Sequence, residues 1–156
     1  MDVLGIPPIR LSAYVAGKLA MVLCWASIPA RLQWPEIRLL EGQVLDIVGI
    51  VFLTLGLVIV LAAFLSLGAS TRIGLPREST ILKTGGLYRY SRNPMYIGLH
   101  LTCLASVVWT MSPVVLLLFA VEILIHHRIV LAEEQFLDRE FGNAWREYAS
   151  KVPRYL

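Results

Sequence analysis

Residues 43–68 read QVLDIVGIVFLTLGLVIVLAAFLSLG, and Asp46 is the one charged side chain among them. The hydrocarbon core of a bilayer takes roughly 20 mostly apolar helical residues to cross. Nothing in this stretch interrupts such a helix, so it reads as a membrane span. Working outward, Leu11–Ala30 forms a second apolar stretch upstream, and Pro94–Thr110 and Pro113–Leu131 form two more downstream. Only Met111 and Ser112 separate the last two, which forces an antiparallel hairpin, with Ser112 as N-cap and Pro113 at the first helical position. The expected fold is all-α: a polytopic membrane protein of about four spans, in one membrane domain covering residues 1–156.

Composition agrees. The 156 residues are 57% hydrophobic and 16% charged, whereas soluble domains run near 45–50% and about 25%. The net charge of +3 comes from basic residues flanking apolar stretches, the distribution of juxtamembrane base and not of a nucleic-acid footprint. Cys24 and Cys103 lie inside apolar stretches without a CxxC spacing and read as small core hydrophobes. The first stretch follows Arg10 and has small residues near its end, as a signal peptide does. Its apolar run is long for that role, and a retained span is the expectation.

Lys and Arg set the orientation. Arg72, Arg77, Lys83, Arg89 and Arg92 lie between spans two and three. Arg139, Arg146, Lys151 and Arg154 follow span four, against Arg31 and Arg38 between spans one and two. Both termini are therefore expected in the cytoplasm. Ala132–Ser150 has a different character: Phe136, Leu137, Phe141, Trp145 and Tyr148 recur at three- and four-residue steps opposite a charged face. This predicts an amphipathic helix at the membrane surface or over the loop.

Ionisable groups inside spans are costly and often functional. Lys18 sits about two turns into its span and can snorkel, and Asp46 stands near the outer end of its span, within reach of the headgroups. Spans three and four carry more. Tyr96 and His100 share one helix face, as do Glu122 and His126, and the second stripe runs on to Glu133 and Glu134. Two readings of that stripe stand side by side. In one, the acidic pair balances loop arginines; in the other, it belongs to a site for a charged ligand entering from the cytoplasm. The three histidines show neither HxxxH nor HxxHH spacing, and no metal is expected. At Asn93-Pro94 a cap residue precedes a proline at the first helical position, and a helix start of this kind can hold an anion.

Thr84-Gly85-Gly86-Leu87-Tyr88-Arg89-Tyr90-Ser91-Arg92-Asn93-Pro94-Met95-Tyr96-Ile97-Gly98, then Glu133-Glu134, then Phe141-Gly142-Asn143-Ala144-Trp145-Arg146-Glu147-Tyr148, then Val152-Pro153-Arg154 together resemble the isoprenylcysteine carboxyl methyltransferase family, whose pattern the phospholipid N-methyltransferases share. The match covers about residues 75–156. The resemblance implies a membrane methyltransferase using S-adenosylmethionine at the cytoplasmic side, with residues 75–156 as its cofactor-binding portion. By motif, Thr80, Ile81, Leu82, Lys83, Tyr88, Asn93, Pro94, Met95, Tyr96, Glu133 and Glu134 would hold the cofactor. His100 and Arg128 would contact substrate, Arg128 standing about one residue from the family's substrate-contacting arginine. Glu122, His126 and Arg128 are the expected catalytic groups. The implied partners are membrane lipids and a hydrophobic or prenylated acceptor, methylated on a carboxylate or an amine, with no nucleic acid. Asn93 stands where many members have His. Membrane sterol reductases share a similar tail, so a nicotinamide-dependent reductase is the enzymatic alternative. A scaffold or transporter subunit is the non-catalytic one.

Overall fold

A computed structural model of the chain describes residues 7–33, 42–67 and 81–156, except for the side chains of 31–33. Thr80, Gly68, Arg38 and the loop arginines Arg72 and Arg77 lie outside the described residues, as does the start of the 75–156 portion. The elements run α1 (Leu11–Gln33), α2 (Gln43–Leu67), a 3₁₀ turn (Gly86–Arg89), α3 (Pro94–Thr110), α4 (Pro113–Phe141) and α5 (Asn143–Lys151). Among the described residues there is no strand, and the all-α expectation holds.

Among the described residues three helices, α1, α2 and α4, are long and apolar enough to cross a membrane. With 17 residues, α3 is shorter, about 25 Å at 1.5 Å per residue. Its centre is small and polar: Gly98, Thr102, Cys103, Ala105, Ser106 and Thr110 are all buried. Lipid gives helices no hydrophobic reason to associate, so close backbone approach and interhelical hydrogen bonds do that work. A Cβ on Gly56 of α2 would come within 2.7 Å of the Gly98 carbonyl, and a Cβ on Gly98 within 2.8 Å of the Gly56 carbonyl. Two backbones meet there because neither residue has a side chain. Trp25 of α1 donates from Nε1 to Thr102 Oγ1 at 2.9 Å, and Trp109 of α3 donates to Asp46 of α2 at 3.1 Å. Asp46 is thus held by a neighbouring helix as well as standing near a span end. On its other side α3 meets α1 and α4, while large apolar side chains such as Val44, Leu57 and Leu65 of α2 point outward.

The hairpin between α3 and α4 forms as expected. Met111 takes a left-handed conformation (φ 47°) and its N–H bonds the Val107 carbonyl at 2.7 Å. Ser112 makes no side-chain cap bond; Pro113 has no N–H to offer, which already reduces the number of donors to satisfy.

The C-terminal region departs from expectation. The predicted helix over Ala132–Ser150 is two pieces: α4 continues unbroken to Phe141, and α5 begins at Asn143. Gly142 separates them at φ 51° and ψ −121°, a conformation that glycine adopts without a Cβ penalty. The apolar face of α5 is turned onto the protein. Trp145, Tyr148 and Val152 form a buried cluster with Leu82, Leu137 and Phe141, so of the two expected placements, at the membrane surface or over the loop, the packing on Leu82 agrees with the second.

Candidate functional site

The stripe of α4 and the first turns of α3 face each other and are joined by hydrogen bonds. Glu122 and His126, four residues apart, are both fully buried. His100 Nδ1 lies 3.0 Å from each Glu122 carboxylate oxygen. His126 Nδ1 lies 2.9 Å from the Glu122 carbonyl and 3.1 Å from Oε1. Both ring nitrogens therefore face acceptors and carry protons. His126 Nε2 is met at 3.2 Å by Lys18 Nζ from α1. The result is one chain, His100–Glu122–His126–Lys18, drawn from three helices. The Lys18 ammonium does not snorkel to the headgroups, since a buried ring nitrogen takes it.

One turn toward the loop, Tyr96 Oη donates to Glu133 Oε1 at 2.9 Å. The Tyr96, His100 and His126 rings stand with centroids 5.7–6.5 Å apart. Among the described residues Glu133 has a neutral hydrogen-bond donor, and Lys18 is the cation whose field reaches it.

Glu134 is engaged differently. Arg154 grips it with Nε at 3.0 and 3.1 Å and a second nitrogen at 2.7 Å, and Arg92 adds a contact at 3.2 Å. The carboxylate raises the Arg154 pKa above its ordinary value. The chain end is stitched to the same place. Arg92 N–H donates to the Pro153 carbonyl at 2.9 Å, and Ser91 Oγ and Asn93 Nδ2 both donate to the Arg154 carbonyl. Asn93 therefore does not cap α3 through its side chain; Ser91 Oγ instead accepts the Asn93 N–H at 3.1 Å. The Arg92 guanidinium stacks on Trp145 with a 5.5 Å separation, and its Nε is a buried donor without an acceptor among the described residues. Tyr148 donates to the Tyr88 carbonyl at 2.7 Å, and burial pushes its phenol up to about 12. Burial raises Tyr88 further still.

Beside the network, α3 and α4 leave a cleft of about 310 Å³ lined by Ile97, His100, Leu101, Leu104, Phe119, Ile123, His127 and Tyr155. His127 Nδ1 and Tyr155 Oη are 3.0 Å apart at one end, so the C-terminal tail forms part of the wall. His100 is the network member that lines this cleft. Its Nδ1 is held by Glu122, and its Nε2 has no partner among the described residues.

The residues picked out from sequence thus separate into groups. Tyr96, His100, Glu122, His126 and Glu133 come together. Asn93 and Glu134 belong to the latch, and Pro94 is buried beside it. Leu82 packs under α5, while Ile81 is 71% exposed. Lys83, Tyr88 and Met95 are half-buried along the loop and the start of α3. Arg128 stands on the exposed side of α4, two residues and about 200° around the helix from His126, and is not brought to the network. Lys18, Arg92, Arg154 and Tyr155 are members that sequence reading did not assign. Arg92 and Arg154 sat inside recognised motifs, and Lys18 carried the signal of a cation within a span. Among the described residues no group of three His, Cys, Asp or Glu side chains is arranged to hold a metal ion.

Neither a curated protein nor a solved structure matches the chain. A family model described as phospholipid methyltransferase matches residues 44–144, covering α2, α3, α4 and the loop that carries the Arg92–Tyr96 segment. The chain belongs to the phospholipid methyltransferase family.

Proposed function

We propose that the protein transfers a methyl group from S-adenosylmethionine to the amine headgroup of a membrane lipid lying in the α3–α4 cleft. The observation that carries this reading is the His100–Glu122 pair, a base held by a buried carboxylate on the wall of a cleft whose other polar side chains, His127 and Tyr155, pair with each other at one end. A carboxylate acceptor, as on a prenylated cysteine, is already a nucleophile at pH 7. An amine is protonated and needs a base, and His100 is the group so placed. Glu122 and His126 are sealed from the cleft, so they position His100.

The residues present suit the cofactor's opposite charges. The Glu133 carboxylate, held by a neutral tyrosine, suits the cationic part. Arg92, with an unsatisfied Nε, suits the carboxylate, along with the N–H groups opening α3. Leu82, Lys83, Tyr88, Met95 and Tyr96 border the same region, and Thr80, outside the described residues, precedes it. When bound, S-adenosylmethionine supplies a methyl group on a sulfonium sulfur, which departs as a thioether when the acceptor's lone pair takes the methyl.

His100 Nε2 accepts the ammonium proton, freeing the nitrogen lone pair. Glu122 orients the ring and stabilises the imidazolium that forms. Tyr96 keeps Glu133 in place, and the apolar cleft excludes water and aligns the acceptor, which is where most of the rate comes from in an in-line displacement. The basic loop and tail favour a cytoplasmic position for this end of the helices, with residues 75–156 as the proposed cofactor side of the domain.

Titration calorimetry on detergent-solubilised protein tests the cofactor half. S-adenosylmethionine should bind, and Glu133→Gln should abolish or greatly weaken that binding; no heat from the unmodified protein overturns the reading.

A further inference from the structure

The family match begins at residue 44, yet one member of the buried network comes from α1. Lys18 Nζ reaches His126 Nε2 at 3.2 Å. The approach depends on Gly17: a Cβ there would stand 2.6 Å from Ile125 Cγ2 and 3.8 Å from His126 Cε1. The neighbouring position lets α1 come close enough for the lysine to arrive.

The hydrogen-bond pattern fixes where the charges are. His126 Nδ1 faces only oxygens of Glu122 and so carries a proton. If Lys18 donates to Nε2, that nitrogen keeps its lone pair and the ring is neutral. Glu122 then takes two N–H donors from neutral rings, and Lys18 is its counter-charge within the network. A buried anion without a counter-charge is costly. Removing Lys18 leaves proton uptake as the way to restore neutrality, and the groups open to it are the two imidazoles, which contact Glu122 directly, and Glu133, which lies within reach of the same cation.

We propose that Lys18 is a positioning residue that supplies the network's positive charge and thereby keeps His100 and His126 unprotonated at neutral pH. This rests on the proposed reaction for its purpose, since a base must be free of its proton to act, but its physical content stands apart from that reaction. The titratable groups around the network are Tyr14 and Cys24 on α1, Tyr96 and Cys103 on α3, Glu133 on α4 and Tyr155 from the tail. None of these is a cation, which leaves the role to Lys18 among the described residues.

The test is ¹⁵N NMR of histidine-labelled full-length protein in lipid nanodiscs, with His127→Gln removing the third histidine. Lys18→Met and Lys18→Arg are compared with the parent at pH 7. The parent and the Arg variant should show two neutral imidazoles, and the Met variant should show an imidazolium on His100 or His126. Neutral rings in the Met variant, or an imidazolium already at His126 in the parent, overturn the proposal. Methionine suits a membrane span, and the Arg variant restores charge, so misfolding does not mimic the result. In a methyl-transfer assay, Lys18→Met should lose about tenfold at pH 7 and recover as the pH rises, whereas Lys18→Arg should keep the parent's pH profile. If the parent transfers no methyl group, the proposed reaction fails, and the NMR result still decides the role of Lys18.

Discussion

Tyr96 Oη donates to Glu133 Oε1 across 2.9 Å, tying the first turn of α3 to the loop-side end of α4. The bond gives the carboxylate a fixed direction without neutralising it. Glu133→Gln keeps a side chain able to accept from Tyr96 but removes the charge. A hydrogen bond to a charged group contributes about 1.5–3 kcal/mol, so S-adenosylmethionine affinity should fall by about 10- to 100-fold. Tyr96→Phe removes one neutral donor and should cost less, about 1 kcal/mol of binding. Equal losses from the two variants would contradict the assignment of charge to Glu133.

The neighbouring carboxylate should behave in the opposite way. Glu134 is enclosed by Arg92 and Arg154, so Glu134→Ala strands two guanidinium groups. Breaking a buried pair on one side costs about 3–5 kcal/mol, and this partly exposed one should lie near the lower end. Thermal unfolding in detergent should register the loss, with cofactor affinity reduced far less than in Glu133→Gln. Unchanged stability with abolished binding would exchange the roles of the two residues.

The cleft predicts a separation of kinetic constants. Leu104→Trp fills space between α3 and α4 without touching Glu133 or Arg92. The acceptor KM should rise while the cofactor Kd measured by calorimetry stays within about twofold, since uniform acceptor binding alone is removed. A change confined to the cofactor would place the acceptor elsewhere.

Tyr148 gives the fold a pH signature at its outer end. Its pKa of about 12 lies above the ordinary 10 because burial disfavours the phenolate. The raised value means its contribution is complete below pH 10 and is lost as pH rises toward 12. Tyr148→Phe removes the bond to the Tyr88 carbonyl and should cost about 1 kcal/mol at pH 7. It should also flatten the decline in melting temperature between pH 10 and pH 12, measured side by side with the parent.

Much of this architecture was legible because lipid leaves few options. The runs around Leu11, Gln43 and Pro94 could only be helices, and the two-residue Met111-Ser112 link could only be a hairpin. The four-residue spacings of Tyr96 and His100 and of Glu122 and His126 placed each pair on one face. Periodicity names a face but not what it meets. Hence Glu133 and Glu134, adjacent in sequence and equal in chemistry, separated into a cofactor candidate and a structural latch only once Arg154 returned from the chain end. The same limit hid the partner of Lys18, 108 residues away, and the position of Arg128 on the exposed side of α4, apart from the buried network. Gly142 was visible in the motif, but a glycine within a helical pattern is often tolerated, so the break between α4 and α5 needed the backbone angles to reveal it.

The most direct test of the central claim is product analysis in bilayers. Purified protein in nanodiscs would receive S-adenosylmethionine labelled in the methyl group, with phosphatidylethanolamine and a prenylated cysteine supplied together. The account predicts label on the lipid amine, stable to base, and its loss by about 10²-fold or more in His100→Gln. Label released by base as a methyl ester, or lipid methylation undiminished in His100→Gln, would contradict it.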